Sequence, residues 1–524
     1  MDAYTLPTEF DVIVVGTGLV ESIVSAAASR VGKTVLHIDN QPTYGGDWAS
    51  FNLENIQQLP KLCEDRKDTE TAGLTCHVGT RSEIKDVQIQ WHCKNESPNN
   101  EEMNASGDCK SLKWCRETLL AKSNKFIFDL APKLHFGNGG LVQLLISSNI
   151  ARYTEFRSVS RIMVYFEGKL DVIPCSRNDI FSNPNVNVIE KRLLMKFFTS
   201  LNEDGDKAFE NIEGKTFKEF LQEKQLTPKC IHYIIHAIAM TTLDEPCSTG
   251  IEKVKRFLNS LGRFGKTPFL YCMWGSAEIP QSFCRISAVF GGVYALNQQL
   301  KEYKFDENDN FKSLICGEQE ITAQKFVTGV GSKVGNKEQP EEYIARCILI
   351  TDESVLKTDS ENLSLILFPS EDGLEMCYII EAGPRTGTTC EGVYCVYMFM
   401  KQKTNAKDDL KYFVDKLFGT EDNAQVLWSC YFSMPVGKDF ETIGNNGFLC
   451  PGPDMDLDYD GSIEQAKAIF KSMYPDDEFL PRAPDPEEII IGGDDEESNE
   501  LTEESENQSV SLTQPKEDAN NIAE

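Results

Sequence analysis

Two glycines, Gly16 and Gly18, follow the short apolar run Asp11-Val12-Ile13-Val14-Val15. Glycines spaced like this, between a buried strand and a helix, let backbone N–H groups approach a phosphate at the helix N-terminus. A dinucleotide fingerprint needs a third glycine three residues on, for close packing of helix on strand. That position holds Glu21. A carboxylate in the first helical turn competes for the anion's own place, and two unit charges about 4 Å apart repel by roughly 1–4 kcal/mol. Read instead as an acid at the positive end of the helix, Glu21 stabilises it by about 0.3–1 kcal/mol. Both readings leave the fold intact and the phosphate site impaired. No flavin or nicotinamide cofactor is expected, and Asp39, where a ribose ligand would stand, reads as a polar strand end.

The remaining spacings support no second chemistry. Gly-Lys-Thr triplets start at Gly32, Gly214 and Gly265, but a P-loop needs another glycine five residues earlier. Those positions hold Ala27, Phe209 and Ser260. His232 and His236 share a helix face, yet the glutamate a zincin requires after the first is Tyr233. A packed or capping role follows. The seventeen cysteines contain no Cys-x-x-Cys pair, which disfavours zinc ribbons and thioredoxin chemistry. Neither a nucleophile motif nor a metal constellation emerges.

The elements that must position the glycine turn are legible. Leu19 to Arg30 reads as a helix stopped by Gly32, and Thr34 to Ile38 as the next strand; together they make a βαβ opening. Residues 59–124 are rich in acids, Asn and Ser, and are expected to be a largely disordered insertion. Leu141 to Ile146 continues a helix, and 160–173 reads as a hairpin turning at Glu167 and Gly168. From 175 to 260 the pattern is helical. Ile189, Leu193, Leu194, Phe197 and Phe198 form an apolar stripe, and Thr216 with Glu219 makes a capping box. Strands dominate again from Phe269. The expected order is 1–58 as the βαβ opening of a first domain, 59–124 as insertion, and 125–174 as that domain continued. A helical second domain follows over 175–260, then the first domain again over 261–491 and an acidic tail over 492–524.

At 524 residues the chain needs more than one core. Its net charge, 52 − 82 = −30, argues against direct nucleic-acid binding and against holding anionic lipid by charge. The acid is uneven: from Asp485 onward fourteen acids face one base, Lys516. The start has no apolar signal core, the end has no prenylation cysteine, and no apolar run approaches 18 residues. A cytosolic location with reduced thiols is expected.

Several long motifs in one order resemble the Rab GDP-dissociation inhibitor / Rab escort protein family. They are residues 10–22 (FDVIVVGTGLVES), 35–39 (VLHID), 44–46 (YGG), 262–269 (GRFGKTPF), 278–281 (EIPQ) and 290–292 (FGG). Within it the escort branch fits better. Trp48-Ala49-Ser50-Phe51 follows the 44–46 turn, a polar insertion follows, and 484–494 (PDPEEIIIGGD) precedes the acidic tail. The insertion looks shorter than in animal escort proteins. The resemblance implies an α/β, flavoprotein-like multi-sheet domain carrying an inserted all-helical domain. It implies an accessory protein, not a catalyst.

Such a protein would bind newly made GDP-bound Rab GTPases and present their C-terminal cysteines to the αβ Rab geranylgeranyl transferase. It would then hold the lipidated Rab and deliver it transiently to membranes. The Rab-binding positions would be Tyr44, Glu278, Arg285 and Tyr294, although Val293 and Ala295 depart from the inhibitors' Thr and Met. Phe181 and Arg192, eleven residues apart, would contact the transferase. Inhibitors lack that Phe. Burying a geranylgeranyl chain, at about 0.8 kcal/mol per CH₂, gains more than about 10 kcal/mol and calls for an apolar groove. Leu194, Phe197, Ile234 and Ile238 are its candidate walls, and would serve equally as core. The alternatives are a Rab GDP-dissociation inhibitor or an FAD-dependent oxidoreductase. The residues supply no arginine finger, so GTPase activation is not indicated.

Overall fold

The computed structural model describes residues 5–64, 75–77, 84–95, 114–176, 179–180, 186–203, 212–329, 341–357, 363–420 and 422–482. The apolar run before the glycine turn forms β1 (Glu9–Val15), followed by α1 (Leu19–Arg30) and β2 (Val35–Ile38). Val12, Ile13 and Val14 are fully buried, as expected of a parallel strand covered on both faces. β1 pairs in parallel with β2 and with the strand Gln319–Thr328. It therefore sits inside a sheet of nine described strands. Val293–Ala295 adds in parallel outside β2. Gly16 leaves β1 at φ +98, a conformation that costs a glycine no Cβ strain. All twelve residues of α1 are buried, because the helices Glu278–Val289 and Asp460–Met473 pack over it.

A second sheet of eight described strands is mostly antiparallel. Tyr343–Thr351 pairs there with Tyr394–Lys401 and Val426–Pro435. The hairpin is as expected: Arg161–Phe166 pairs with Lys169–Val172 across Glu167 and Gly168, both at positive φ. The helical layer contains Val188–Glu203, Phe217–Glu223, Pro228–His232 and Cys247–Ser260. Thr216 and Glu219 form the reciprocal capping box, with N–H to side-chain oxygen distances of 2.9 and 3.2 Å. Pro228–His232 runs into a buried π-helical turn, Tyr233–Ile238. Tyr233 Oη donates to Asp171 Oδ2 at 2.8 Å, which ties this layer to the hairpin.

The insertion over 59–124, expected to be largely disordered, contains ordered pieces among its described residues. Lys85–Trp91 pairs antiparallel with Val426–Pro435. Trp91 meets Trp428 edge-on at 6.4 Å, and Ile84 and Trp114 are buried. Alternating Val87, Ile89 and Trp91 pack against the core; this period of two is a strand signal that the surrounding polar sequence masked. Met1–Ala483 forms one compact unit. Pro484 onward, with the acidic tail, lies outside the described residues.

Candidate functional site

The glycine turn holds the side chain that the sequence placed against it. Glu21 is buried, and its Oε2 lies 2.5 Å from where a Cβ on Gly18 would stand, and Oε1 closer still to that point on Gly329. The carboxyl thus fills the space above the turn. Burial pushes it up to about 8, and the nearby charges of Asp47 and Asp39 push the same way. This corrects one expectation. The block was read as charge against charge, but at neutral pH Glu21 is mostly protonated, because a desolvated carboxylate costs more than a neutral acid. The obstruction is the volume of the side chain. A dinucleotide's phosphates do not fit this turn as it stands.

Asp39 is committed elsewhere, accepting from Thr17 Oγ1 at 2.9 Å and from the Gln41 N–H at 2.9 Å. His37 bonds the Gly16 carbonyl through Nε2 at 2.6 Å, and burial lowers it to about 4. His232 and His236 likewise bond backbone carbonyls, of Tyr165 and Thr241, at 3.0 Å each. Burial is the largest cause lowering both. Among the described residues no group of three or more His, Cys, Asp or Glu could hold a metal ion.

Beside the turn, residues distant in sequence converge. The Tyr44 and Tyr294 rings stack at 5.7 Å, and Tyr294 meets the His37 ring edge-on at 4.7 Å. Tyr294 Oη donates to Cys284 Sγ at 2.8 Å. Burial, then the neighbouring thiol, holds the Tyr294 phenol far above 10, so it stays protonated. Cys284 lies on the helix Glu278–Val289, whose inner side meets α1 through Ser25 and Ser29, both bonded to Ser287. Glu278 and Arg285, seven residues apart, stand two turns apart on that helix. Arg285 is exposed and lies 4.7 Å over the Tyr153 ring. Partial burial pushes the Glu278 carboxyl above 4.5. The outcome is an aromatic pair, an acid and a base beside one helix. Aromatic rings supply anchors, and an exposed base and a half-buried acid supply charge-assisted bonds, which is chemistry suited to a polar macromolecular surface. Sequence reasoning missed Cys284 and Tyr153, which carry no motif; only their contacts reveal them.

In the helical layer Arg192 is exposed, while Phe181 lies outside the described residues. Val188 and Ile189, one turn before Arg192, are 67% and 69% exposed. Leu194, Phe197, Ile234 and Ile238 are all buried in one core cluster. The open apolar groove expected among them is closed here, since each wall packs against its neighbours instead of water.

The described site is thus a nucleotide-type fold with its own side chain in the phosphate cradle and an aromatic pair with an acid and a base beside it. The pattern of the GDI family, GDP dissociation inhibitor, matches residues 6–77 and 110–412, and the chain belongs to that family. It is 35% identical to the "Rab proteins geranylgeranyltransferase component A" of Drosophila melanogaster, over 94% of this chain and 93% of that one. With component A 1 of Homo sapiens the identity is 33%, over 94% and 95%. The "Rab GDP-dissociation inhibitor" of Saccharomyces cerevisiae is 31% identical over 58% of this chain and 60% of its own. Among solved structures, the Rab GDI of Plasmodium falciparum superposes with a TM-score of 0.65 at 21% identity, over 90% of this chain and 99% of that one. An oxidoreductase from Methanosarcina mazei reaches 0.52 at 12%, over 88% and 99%. These two show the fold alone: a GDI-type α/β architecture with flavoprotein-like neighbours. Among the described residues no helix is long and apolar enough to cross a membrane.

Proposed function

We propose that this chain is the escort component of a Rab geranylgeranyl transferase. It takes up newly made, GDP-bound Rab GTPases and presents their C-terminal cysteines to the αβ transferase. It then keeps the lipidated product in the cytosol until membrane delivery. One observation carries the reading: the likeness to component A proteins spans 94% of the chain, whereas that to the yeast inhibitor spans 58%. The filled phosphate cradle speaks against the oxidoreductase alternative.

The division of labour follows the site. Tyr44 and Tyr294 supply the aromatic anchor for the GTPase, and Glu278 and Arg285 the flanking charges. Phe181 and Arg192 dock the transferase; the apolar exposure of Val188 and Ile189 beside Arg192 supports that role. The prenyl chain enters the helical layer by parting the packed Leu194, Phe197, Ile234 and Ile238. The π-helical turn Tyr233–Ile238, which carries two of them, supports this, since such turns often mark functional sites.

The test is reconstitution: Rab prenylation by the αβ transferase, with and without this protein. Addition should restore prenylation, and Phe181→Ala should abolish that rescue while Rab binding survives. Rab binding without any rescue would leave the chain a dissociation inhibitor. Rescue by the Phe181→Ala variant would remove Phe181 from the docking surface.

A further inference from the structure

Of the five tryptophans, Trp48, Trp114 and Trp428 are buried and Trp91 is partly so, but Trp274 is 50% exposed. It is also held in an unusual way. Its backbone sits at φ +67, a left-handed conformation that bulky residues avoid. Its N–H donates to the Thr386 carbonyl at 3.3 Å. Its ring lies on Gly387, itself at φ +77, where a Cβ would come within 2.6 Å of Trp274 Cε3. The indole N–H points to Glu155 Oε2 at 3.5 Å. A strained residue persists only where its surroundings over-determine it, and such residues gather at binding clamps. Here the surroundings hold a large apolar ring toward solvent.

That ring continues the protein-recognition surface. Glu155 is two residues from Tyr153, which carries the Arg285 guanidinium at 4.7 Å. Trp274 opens the turn into the helix Glu278–Val289, and the Glu278 N–H closes on the Gly275 carbonyl at 3.3 Å. Trp274 therefore leads directly into the helix that bears the acid and base assigned to the GTPase, and its indole bonds Glu155, two residues from the ring under Arg285. Tryptophan is enriched among residues that dominate interface energies.

We infer that Trp274 is a further anchor for the partner GTPase, seated in an apolar pocket on it and extending the Tyr44–Tyr294–Glu278–Arg285 surface toward Glu155. This rests on the function proposed above. The test measures binding of GDP-loaded Rab to the full chain and to its Trp274→Ala and Trp274→Phe variants. ¹⁹F NMR of this chain labelled with 5-fluorotryptophan accompanies it, the Trp274 resonance being assigned by its loss in Trp274→Phe. Affinity should fall by roughly tenfold or more in Trp274→Ala and less in Trp274→Phe. The Trp274 resonance of the unsubstituted protein should shift on Rab addition. Normal Rab binding with an unmoved resonance and an unaffected Trp274→Ala variant overturns this inference alone. Absence of Rab binding by the unsubstituted protein overturns the proposed function as well.

Discussion

Replacing Glu21 by Gln keeps the shape of the side chain in the phosphate cradle and removes its titration. In the folded protein the carboxyl titrates at about 8 instead of 4.5. Between those values the folded chain holds a proton that the unfolded chain has released. Stability must therefore fall as pH rises, by up to about 1.4 kcal/mol per pH unit. The contribution is fully present below pH 4.5 and gone above pH 8. Over that interval it amounts to on the order of 4–5 kcal/mol, of which about 3 kcal/mol is lost by pH 7. That is a large share of the roughly 5–15 kcal/mol by which a domain is stable. Glu21→Gln cannot show this loss, to which burial contributes most and the repulsion from Asp47 and Asp39 adds. Denaturant and thermal midpoints of both proteins between pH 5 and 9 measure it. The variant should gain on the parent as pH rises, by several degrees at pH 8–9. Parallel pH profiles for the two proteins would refute the assignment of a buried, protonated Glu21.

Glu278→Ala and Arg285→Ala should each weaken binding of GDP-loaded Rab by about 1–2 kcal/mol, read by fluorescence titration, with melting temperature nearly unchanged because neither side chain is core. Ile189→Asp, at a 69% exposed position, should lower the apparent affinity for the αβ transferase by tenfold or more and leave Rab affinity intact. A pull-down with the heterodimer separates the two effects.

The βαβ opening, its glycine turn, the hairpin at 160–173 and the capping box at Thr216 were legible because each is written in a few adjacent residues. Alternation, helical period and turn glycines act over short range. The strand Lys85–Trp91 was not legible. Its alternating apolar positions sit in a polar stretch, and its partner, Val426–Pro435, lies more than three hundred residues away. The groove candidates Leu194, Phe197, Ile234 and Ile238 were correctly recognised as apolar, but apolarity does not distinguish a lipid-facing wall from core. Packing decides that, and in this structure they are core.

The amino-acid order alone determined that a nucleotide-type fold opens the chain and that its third glycine position is an acid. It could not determine the state of that acid. Protonation depends on how much water the fold removes and on which other carboxyls it brings near, and Asp47 and Asp39 join Glu21 only in the folded chain. Likewise, Tyr44 and Tyr294 become one aromatic pair because the strand Val293–Ala295 adds beside β2. A contact across two hundred and fifty positions has no signature in either local stretch, because the sheet, not the chain, makes them neighbours.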